Sequence, residues 1–139
     1  MSSKTKQVGC SGEFAVIKEL LDLGCEVYRD VTDSCDADLV IKKNQRLYTV
    51  QVKTLSTTKA GTAAIRLWKH MRGKGEIPYE GTEFDILALH VLDRNATLYF
   101  RLQELLAMGN KAAVGIRFDA VTRCDQRSYT DFLSLERCL

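Results

Sequence analysis

The chain has 139 residues, a formal net charge of +2, 45% hydrophobic and 27% charged residues and one proline, which together predict one soluble domain over residues 1–139 without an extended disordered region. No apolar run approaches the roughly 18 residues that span a bilayer, and the polar start carries no secretory signal, so we expect a cytoplasmic protein without membrane contact. An odd count of five cysteines without a Cys-x-x-Cys pair, and only two histidines, argue against a disulfide framework or zinc and restrict any metal mainly to oxygen ligands.

The first predicted element is an amphipathic helix over residues 12–23. Apolar residues recur at helical spacing on one face. They are Phe14, Ile17, Leu20 and Leu21. Ser11 is positioned to cap the start of this helix, and Gly24 lies where a C-terminal glycine ends one.

Three strands are predicted to follow. A short strand at 25–29 and a polar turn at 30–36 precede a strand that opens with Asp38. After a turn at 43–46, the chain returns as a strand over 47–54.

The last of these strands has two chemically different faces, because side chains on a strand alternate. Its apolar face holds Tyr48, Val50 and Val52. Its polar face holds Thr49, Gln51 and Lys53. A glutamine and a lysine two residues apart, opposite a row of core residues, indicate a functional site.

Basic residues are concentrated between Leu39 and Gly75. This stretch has nine lysines and arginines and no acid. They are Lys42, Lys43, Arg46, Lys53, Lys59, Arg66, Lys69, Arg72 and Lys74. The segregation predicts a surface for a polyanion, with a solvated basic face as the alternative. Within 55–81, basic residues at steps of three slightly favour a helix over an irregular strand for residues 63–71.

The second half of the chain predicts a buried strand at 84–91, a turn at 93–95 and a returning strand at 97–102 that completes a hairpin. A short helix at 102–108, closed by Gly109, follows. A strand at 114–118 and a helical turn at 129–135 complete the series.

A set of polar residues on these elements resembles the PD-(D/E)xK nuclease superfamily. Glu13 matches the acid of its first helix, Asp38 the aspartate of its second strand, and Gln51-Val52-Lys53 its (D/E)xK motif. The resemblance covers residues 9–54 well and continues more loosely through 83–88 and 98–100. Intron-encoded homing endonucleases are the most similar branch, and archaeal Holliday-junction resolvases are more distant.

The resemblance implies a fold and a cofactor. The fold would be α/β, with a restriction-endonuclease-like core in which helices flank a mixed central β-sheet in αβββαβ order. Asp38, the Gln51 side chain and the Val52 carbonyl would hold Mg²⁺, or Mn²⁺ in its place, and Glu13 would support its water shell. Lys53 would orient the attacking water or stabilise charge on the phosphate.

Two positions leave alternatives open. Gln51 replaces the family's usual acid and removes one formal charge from the metal site, which also fits a catalytically inactive DNA-binding relative. Asp36 is a rival to Asp38, but it lies in the loop rather than directly before the apolar strand. Taken singly, Glu13 and Asp38 are also explained as a capping acid and a strand-edge acid.

The function implied is a magnesium-dependent, sequence-specific endonuclease acting on double-stranded DNA, most plausibly a homing endonuclease. Alternatives are a Holliday-junction resolvase or a restriction-type nuclease. The DNA-binding candidates in the basic segment at about 55–81 are Lys59, Arg66, Lys69, His70, Arg72 and Lys74. Trp68 and Tyr79 are candidates for stacking on DNA or, more commonly for such residues, for buried packing.

A double-strand break needs two sites, so we expect a homodimer or a higher homo-oligomer. Apolar residues beyond Leu98 are the expected source of the surface between its subunits.

Overall fold

A computed structural model describes residues 3–32, 34–108 and 113–139. In chain order, the helices and strands are α1 (Ser3–Asp22), β1 (Glu26–Arg29), β2 (Leu39–Lys43), β3 (Arg46–Leu55), β4 (Thr62–Arg66), β5 (Trp68–Met71), β6 (Gly75–Pro78), β7 (Ile86–Val91), β8 (Ala96–Arg101), α2 (Leu102–Met108) and β9 (Ala113–Arg117). Short 3₁₀ helices cover Leu92–Arg94, Tyr129–Phe132 and Glu136–Cys138. Gly109, predicted to close α2, lies outside the described residues.

A mixed five-stranded sheet in the order β1-β2-β3-β7-β8 forms the centre of the structure. The pairing is antiparallel except between β3 and β7, which run parallel. All six residues of β7 are buried, as expected for a strand covered on both faces. The predicted α/β fold with a mixed central sheet is confirmed.

The connection between β3 and β7 differs from the sequence prediction. Residues 63–71, for which a helix was slightly favoured, form β4 and β5 instead, so that prediction is wrong. Ala63, Ile65 and Leu67 alternate into the core, with exposures of 0%, 1% and 2%, and this period of two indicates a strand. β4 pairs with β9, and β5 pairs with β6 as a separate two-stranded ribbon. Strands therefore occupy the connection where the αβββαβ order has a helix.

Helix α1 starts earlier than predicted, and its buried face is rotated. It begins at Ser3, so Ser11 lies inside it rather than at its cap. Its buried residues are Gly12, Val16 and Leu20, whereas Phe14 and Leu21, predicted to face the core, are 59% and 55% exposed. The physical cause is the close approach of Gly12 to β3, which determines the side of the helix that faces the sheet.

The end of α1 agrees with the sequence prediction. Gly24 adopts a positive φ of 86°. Its N–H donates to the carbonyl of Leu21, and the N–H of Cys25 donates to the carbonyl of Leu20, both at 3.0 Å. These two bonds form a Schellman motif, which glycine permits because it has no Cβ.

Two apolar clusters lie on opposite sides of the sheet. One joins α1 to the apolar face of β3, including Val16, Leu20, Ile41 and Val50, with Tyr48 and Val52 partly buried against it. The other contains Ile65, Leu89, Phe100, Ile116 and Phe132. The predicted alternation of β3 is therefore confirmed.

Most of the large apolar residues beyond Leu98 are buried in these clusters, and Val121 and Leu133 are the exceptions among those described. The exposed apolar residues lie mainly on α1 and around β1. They are Phe14, Leu21, Leu23, Tyr28 and Val31. The expected subunit surface from apolar residues beyond Leu98 stays a prediction, and Val121 and Leu133 are the exposed large apolar residues that the described part of this region offers. Within the described ranges, no helix is both long and apolar enough to cross a membrane.

Candidate active site

Strand β3 extends past the end of β2, and this extension carries the site. Leu39 at the start of β2 pairs with Val50. Residues 51–55 therefore have β7 on one side, and no strand of the described residues pairs with them on the β2 side. Continuing the register by one residue places Asp38 opposite Gln51 and on the same face. The sheet edge beside Gln51 and Val52 is thus open to a ligand.

Asp38 is fixed to this edge by two contacts with β3. Its backbone N–H donates to the carbonyl of Val50, and its Oδ2 accepts from the backbone N–H of Val52, each at 2.9 Å. Asp36, the alternative for this motif position, is 49% exposed in its side chain and pairs with Lys69 at 3.4 Å. The carboxylate that lies against the Gln51-Val52 peptide is therefore that of Asp38.

Glu13 reaches the same region from α1. The helix comes close to the sheet at Gly12, where an added Cβ would overlap the side chain of Thr54. Arg29 holds the Glu13 carboxylate through a contact of 3.1 Å between Nη2 and Oε1. Glu13 and Asp38 line two of the same cavities, so the structure brings these two predicted acids together.

The donors at this edge fit a hard divalent cation. The amide nitrogen of Gln51 lies 3.5 Å from the Val52 carbonyl oxygen. A half-turn of the amide would place Oε1 beside that oxygen, since the two ends of the amide are nearly equal in shape. Among the described residues there is no cluster of three or more His, Cys, Asp or Glu side chains suited to a metal. The donors available are carboxylate, amide and carbonyl oxygens, which suit Mg²⁺ or Mn²⁺ rather than zinc.

Lys53 is half-buried on the polar face of β3. Its ammonium donates to the carbonyl oxygen of Arg66 at 2.7 Å and lies 5.2 Å from the centre of the Tyr79 ring. Burial, and then the positive charge of Arg66, lower the pKa of Lys53 to about 8, while Glu76 opposes the change. A lysine with this pKa changes its charge close to neutral pH, as groups at active sites often do.

The predicted DNA-binding residues occupy different environments. Lys59, His70, Arg72 and Lys74 are exposed, and the last two lie in the turn of the ribbon formed by β5 and β6. Arg66 pairs with Glu76 on that ribbon at 2.5 Å.

Lys69 lies between two carboxylates. Its ammonium is 3.4 Å from Asp36 and 3.3 Å from Glu83, and its side chain is only 19% exposed. Burial alone would raise the pKa of Glu83, but hydrogen bonds from the backbone N–H groups of Glu80 and Gly81 and from Lys69 lower it to about 2. The contacts of Lys69 thus attach the ribbon to the loop before Asp38.

Two cavities meet at Asp38 and Gln51. An open groove of about 930 Å³ lies between α1 and the extension of β3, and Lys4 and Lys6 line its outer part. A recess of about 290 Å³ is lined by Lys53, Tyr79 and Trp68 among others. The indole N–H of Trp68 is buried and has no hydrogen-bond partner among the residues that the structure describes.

Lys4, Lys6 and Tyr79 also line this region, although the sequence alone had not placed them at the active site. The two lysines lie in the first turns of α1, which had been predicted to begin only at residue 12. The absence of proline from residues 3–11 was the one sequence feature consistent with the earlier start. For Tyr79 the sequence contains no signal, because its contact with Lys53 joins residues 26 positions apart.

The structure places Glu13 on a helix, Asp38 directly before β2, and Gln51 and Lys53 two residues apart on β3. This order of elements and polar residues is that of the PD-(D/E)XK nucleases. Residues 3–132 match the family described as PD-(D/E)XK endonuclease, and the chain belongs to that family. It is also 30% identical to Protein 5.3 of Escherichia phage T7 over 91 residues, which are 66% of this chain and 75% of that protein.

A solved structure has a similar fold. The bacterial homing endonuclease I-Ssp6803I superposes with a TM-score of 0.74, covering 94% of this chain and 88% of that one, at 21% sequence identity. At this identity, the likeness concerns the fold. The chain is thus a nuclease of the PD-(D/E)XK type.

Proposed function

We propose that this chain is a magnesium-dependent, sequence-specific DNA endonuclease of the homing type, folded as one nuclease domain with a basic DNA-binding segment at about 55–81. The observation that carries the proposal is the position of Asp38, whose carboxylate is bonded to the peptide that also presents Gln51 and precedes Lys53. The likeness in fold to a bacterial homing endonuclease supports the homing assignment.

Asp38, the Gln51 side chain and the Val52 carbonyl are the proposed metal ligands, with Glu13 supporting the surrounding water. Mg²⁺, or Mn²⁺ in its place, would polarise the scissile phosphate and acidify a water molecule. Asp38 carries the main negative charge toward the metal, because Gln51 is neutral and Arg29 is already paired with Glu13. These residues would hold the cation at the open edge of β3, where it would bind the phosphate.

Lys53 is the proposed partner of the reacting phosphate. Its ammonium form stabilises negative charge that develops in the transition state, and its neutral form accepts a proton from the attacking water. A pKa of about 8 makes both forms accessible near neutral pH. The pH dependence of cleavage distinguishes the two, since activity falls above about pH 8 if the ammonium is required.

The basic segment is proposed to bind duplex DNA. The ribbon of β5 and β6 is two-stranded and antiparallel, a shape that enters the major groove. Arg72 and Lys74 at its turn, with His70, are the proposed groove contacts, and Lys59 is a proposed phosphate contact. Arg66 and Lys69 reach DNA only by exchanging their present acidic partners for phosphates.

A homodimer or higher homo-oligomer is part of the proposal, because one site of this kind cuts one strand. The preferred target is then an approximate palindrome that follows the two-fold symmetry of the protein. Light scattering at micromolar protein tests this. A monomer that makes double-strand breaks at an asymmetric site contradicts it.

The cleavage test compares supercoiled plasmid with and without Mg²⁺ for the natural chain, Asp38→Ala and Lys53→Ala. We expect both variants to lose about 10²–10³ in rate while DNA binding, measured without metal, changes little. Lys42→Ala is the matched control, because Lys42 is an exposed lysine on the neighbouring strand β2.

Substrate choice separates the remaining functions. Cleavage of a mapped site in linear duplex supports homing, whereas preference for a four-way junction indicates a resolvase. A folded natural chain that binds DNA but cuts neither substrate with Mg²⁺ or Mn²⁺ is a binding module, and the proposal is then wrong.

A further inference from the structure

Both groups that hold the Lys53 ammonium come from the connection between β3 and β7. Arg66 is the last residue of β4, and Tyr79 directly follows β6. The carbonyl accepts one N–H at 2.7 Å, and the face of the Tyr79 ring lies 5.2 Å away. The basic segment therefore also forms the surroundings of the active-site lysine.

We propose that the Tyr79 ring is a positioning residue for Lys53, holding its ammonium in place for cleavage through a cation–π contact; the inference rests on the proposed role of Lys53. A lysine side chain has several freely rotating bonds, and fixing it in one geometry costs conformational entropy. One carbonyl constrains a single N–H direction. An aromatic face supplies a second attraction to an ammonium that has lost part of its hydration.

The ring itself is firmly fixed, as a positioning group must be. Tyr79 is only 9% exposed. Its ring packs edge-on against Phe84, with centres 5.1 Å apart and planes at 90°. Its backbone N–H donates to the carbonyl of Leu67 at 3.0 Å. The ring is thus held by the core on one side and offers its face to Lys53 on the other.

The hydroxyl of Tyr79 is not required by this inference. Burial first, followed by the negative charges of Glu83, Asp36 and Asp38, raises the pKa of Tyr79 to about 12. The hydroxyl therefore stays neutral at working pH and does not serve as a base. Phenylalanine keeps the aromatic face and leucine removes it, so these two substitutions separate the ring from the hydroxyl.

The test compares Tyr79→Phe, Tyr79→Leu and Lys53→Ala with a matched control, Tyr129→Leu. Tyr129 is a tyrosine partly buried against the apolar cluster that contains Tyr79, and its ring is stacked on Phe118 with centres 4.5 Å apart. Cleavage rate at saturating DNA, DNA affinity and thermal midpoint are measured for each. The control reports what a lost ring does through stability alone.

We expect Tyr79→Phe to cleave within about threefold of the natural rate and Tyr79→Leu to lose about 10- to 30-fold. DNA affinity stays unchanged in both. The loss in Tyr79→Leu therefore lies in the rate at saturating DNA and not in affinity, and the aromatic face of phenylalanine restores that rate. Tyr129→Leu keeps its rate at temperatures where it is folded.

Three outcomes overturn the inference: a natural rate in Tyr79→Leu, an equal loss in Tyr79→Phe, or an equal loss in Tyr129→Leu. If Lys53→Ala itself cleaves at the natural rate, the proposed function of Lys53 fails and the inference fails with it. If Lys53→Ala is inactive while Tyr79→Leu behaves as the natural chain, only the role of Tyr79 is refuted.

Discussion

Replacing Lys53 by methionine is expected to stabilise the fold while it abolishes cleavage. The pKa of Lys53 is about 8 in the folded chain against an ordinary 10.5. At about 1.4 kcal/mol per pKa unit, the half-buried charge costs the fold roughly 3 kcal/mol near neutral pH. Methionine has a similar length and no charge, but it also loses the hydrogen bond to the Arg66 carbonyl. We therefore expect a net gain of about 1–2 kcal/mol.

The gain should depend on pH in a defined direction. Below about pH 8 both the folded and the unfolded chain carry the proton on Lys53, and the full cost of the charge is present. Between about 8 and 10.5 the unfolded chain binds more protons, so the natural chain becomes more stable relative to the variant as pH rises. Above 10.5 neither state is charged, and the cost disappears.

Urea denaturation of both chains across this pH range measures the effect. The control is Lys42→Met, an exposed lysine on β2, whose substitution should change stability little at any pH in the range. A Lys53→Met variant that is less stable at neutral pH, or whose gain is as large at about pH 10.5 as at pH 7, would refute the reasoning from burial.

Three further predictions concern neighbouring parts of the site. Gly12→Ala should lower the free energy of unfolding in urea by about 1–3 kcal/mol, because the added Cβ overlaps the Thr54 side chain. Thr54→Ala in the same chain should recover much of that loss. An unchanged stability in Gly12→Ala would mean that α1 does not need this close approach. Gln51→Glu should lower the Mg²⁺ concentration for half-maximal cleavage because it restores a second formal charge, and an unchanged or higher requirement in a metal titration contradicts its role as a ligand. Arg72→Ala with Lys74→Ala should reduce the slope of log affinity against log salt by up to about 1.8 in fluorescence anisotropy, and an unaltered slope means that the ribbon turn contacts no phosphate.

The elements that carry the candidate site, and their order along the chain, could be predicted from local patterns of residues. Alternation along β3 separates Gln51 and Lys53 from the core face, and this follows from strand geometry alone. The position of Asp38 directly before an apolar strand, and of Gly24 at the end of a helix, can each be recognised from the residues next to it in the sequence. Such features are readable because the interactions that produce them lie within a few positions along the chain.

The surroundings of Lys53 and the strands of the basic segment could not be predicted, because they depend on contacts between distant parts of the chain. β4 becomes a strand because β9 pairs with it, residue 62 opposite residue 117, and a local charge spacing does not report such a partner. Likewise, Lys69 is distinguished from the exposed basic residues by Asp36 and Glu83, which lie 33 and 14 positions away. Local periodicity reports which face of an element is apolar, whereas the contacts that restrain one ammonium depend on distant segments that the fold brings together.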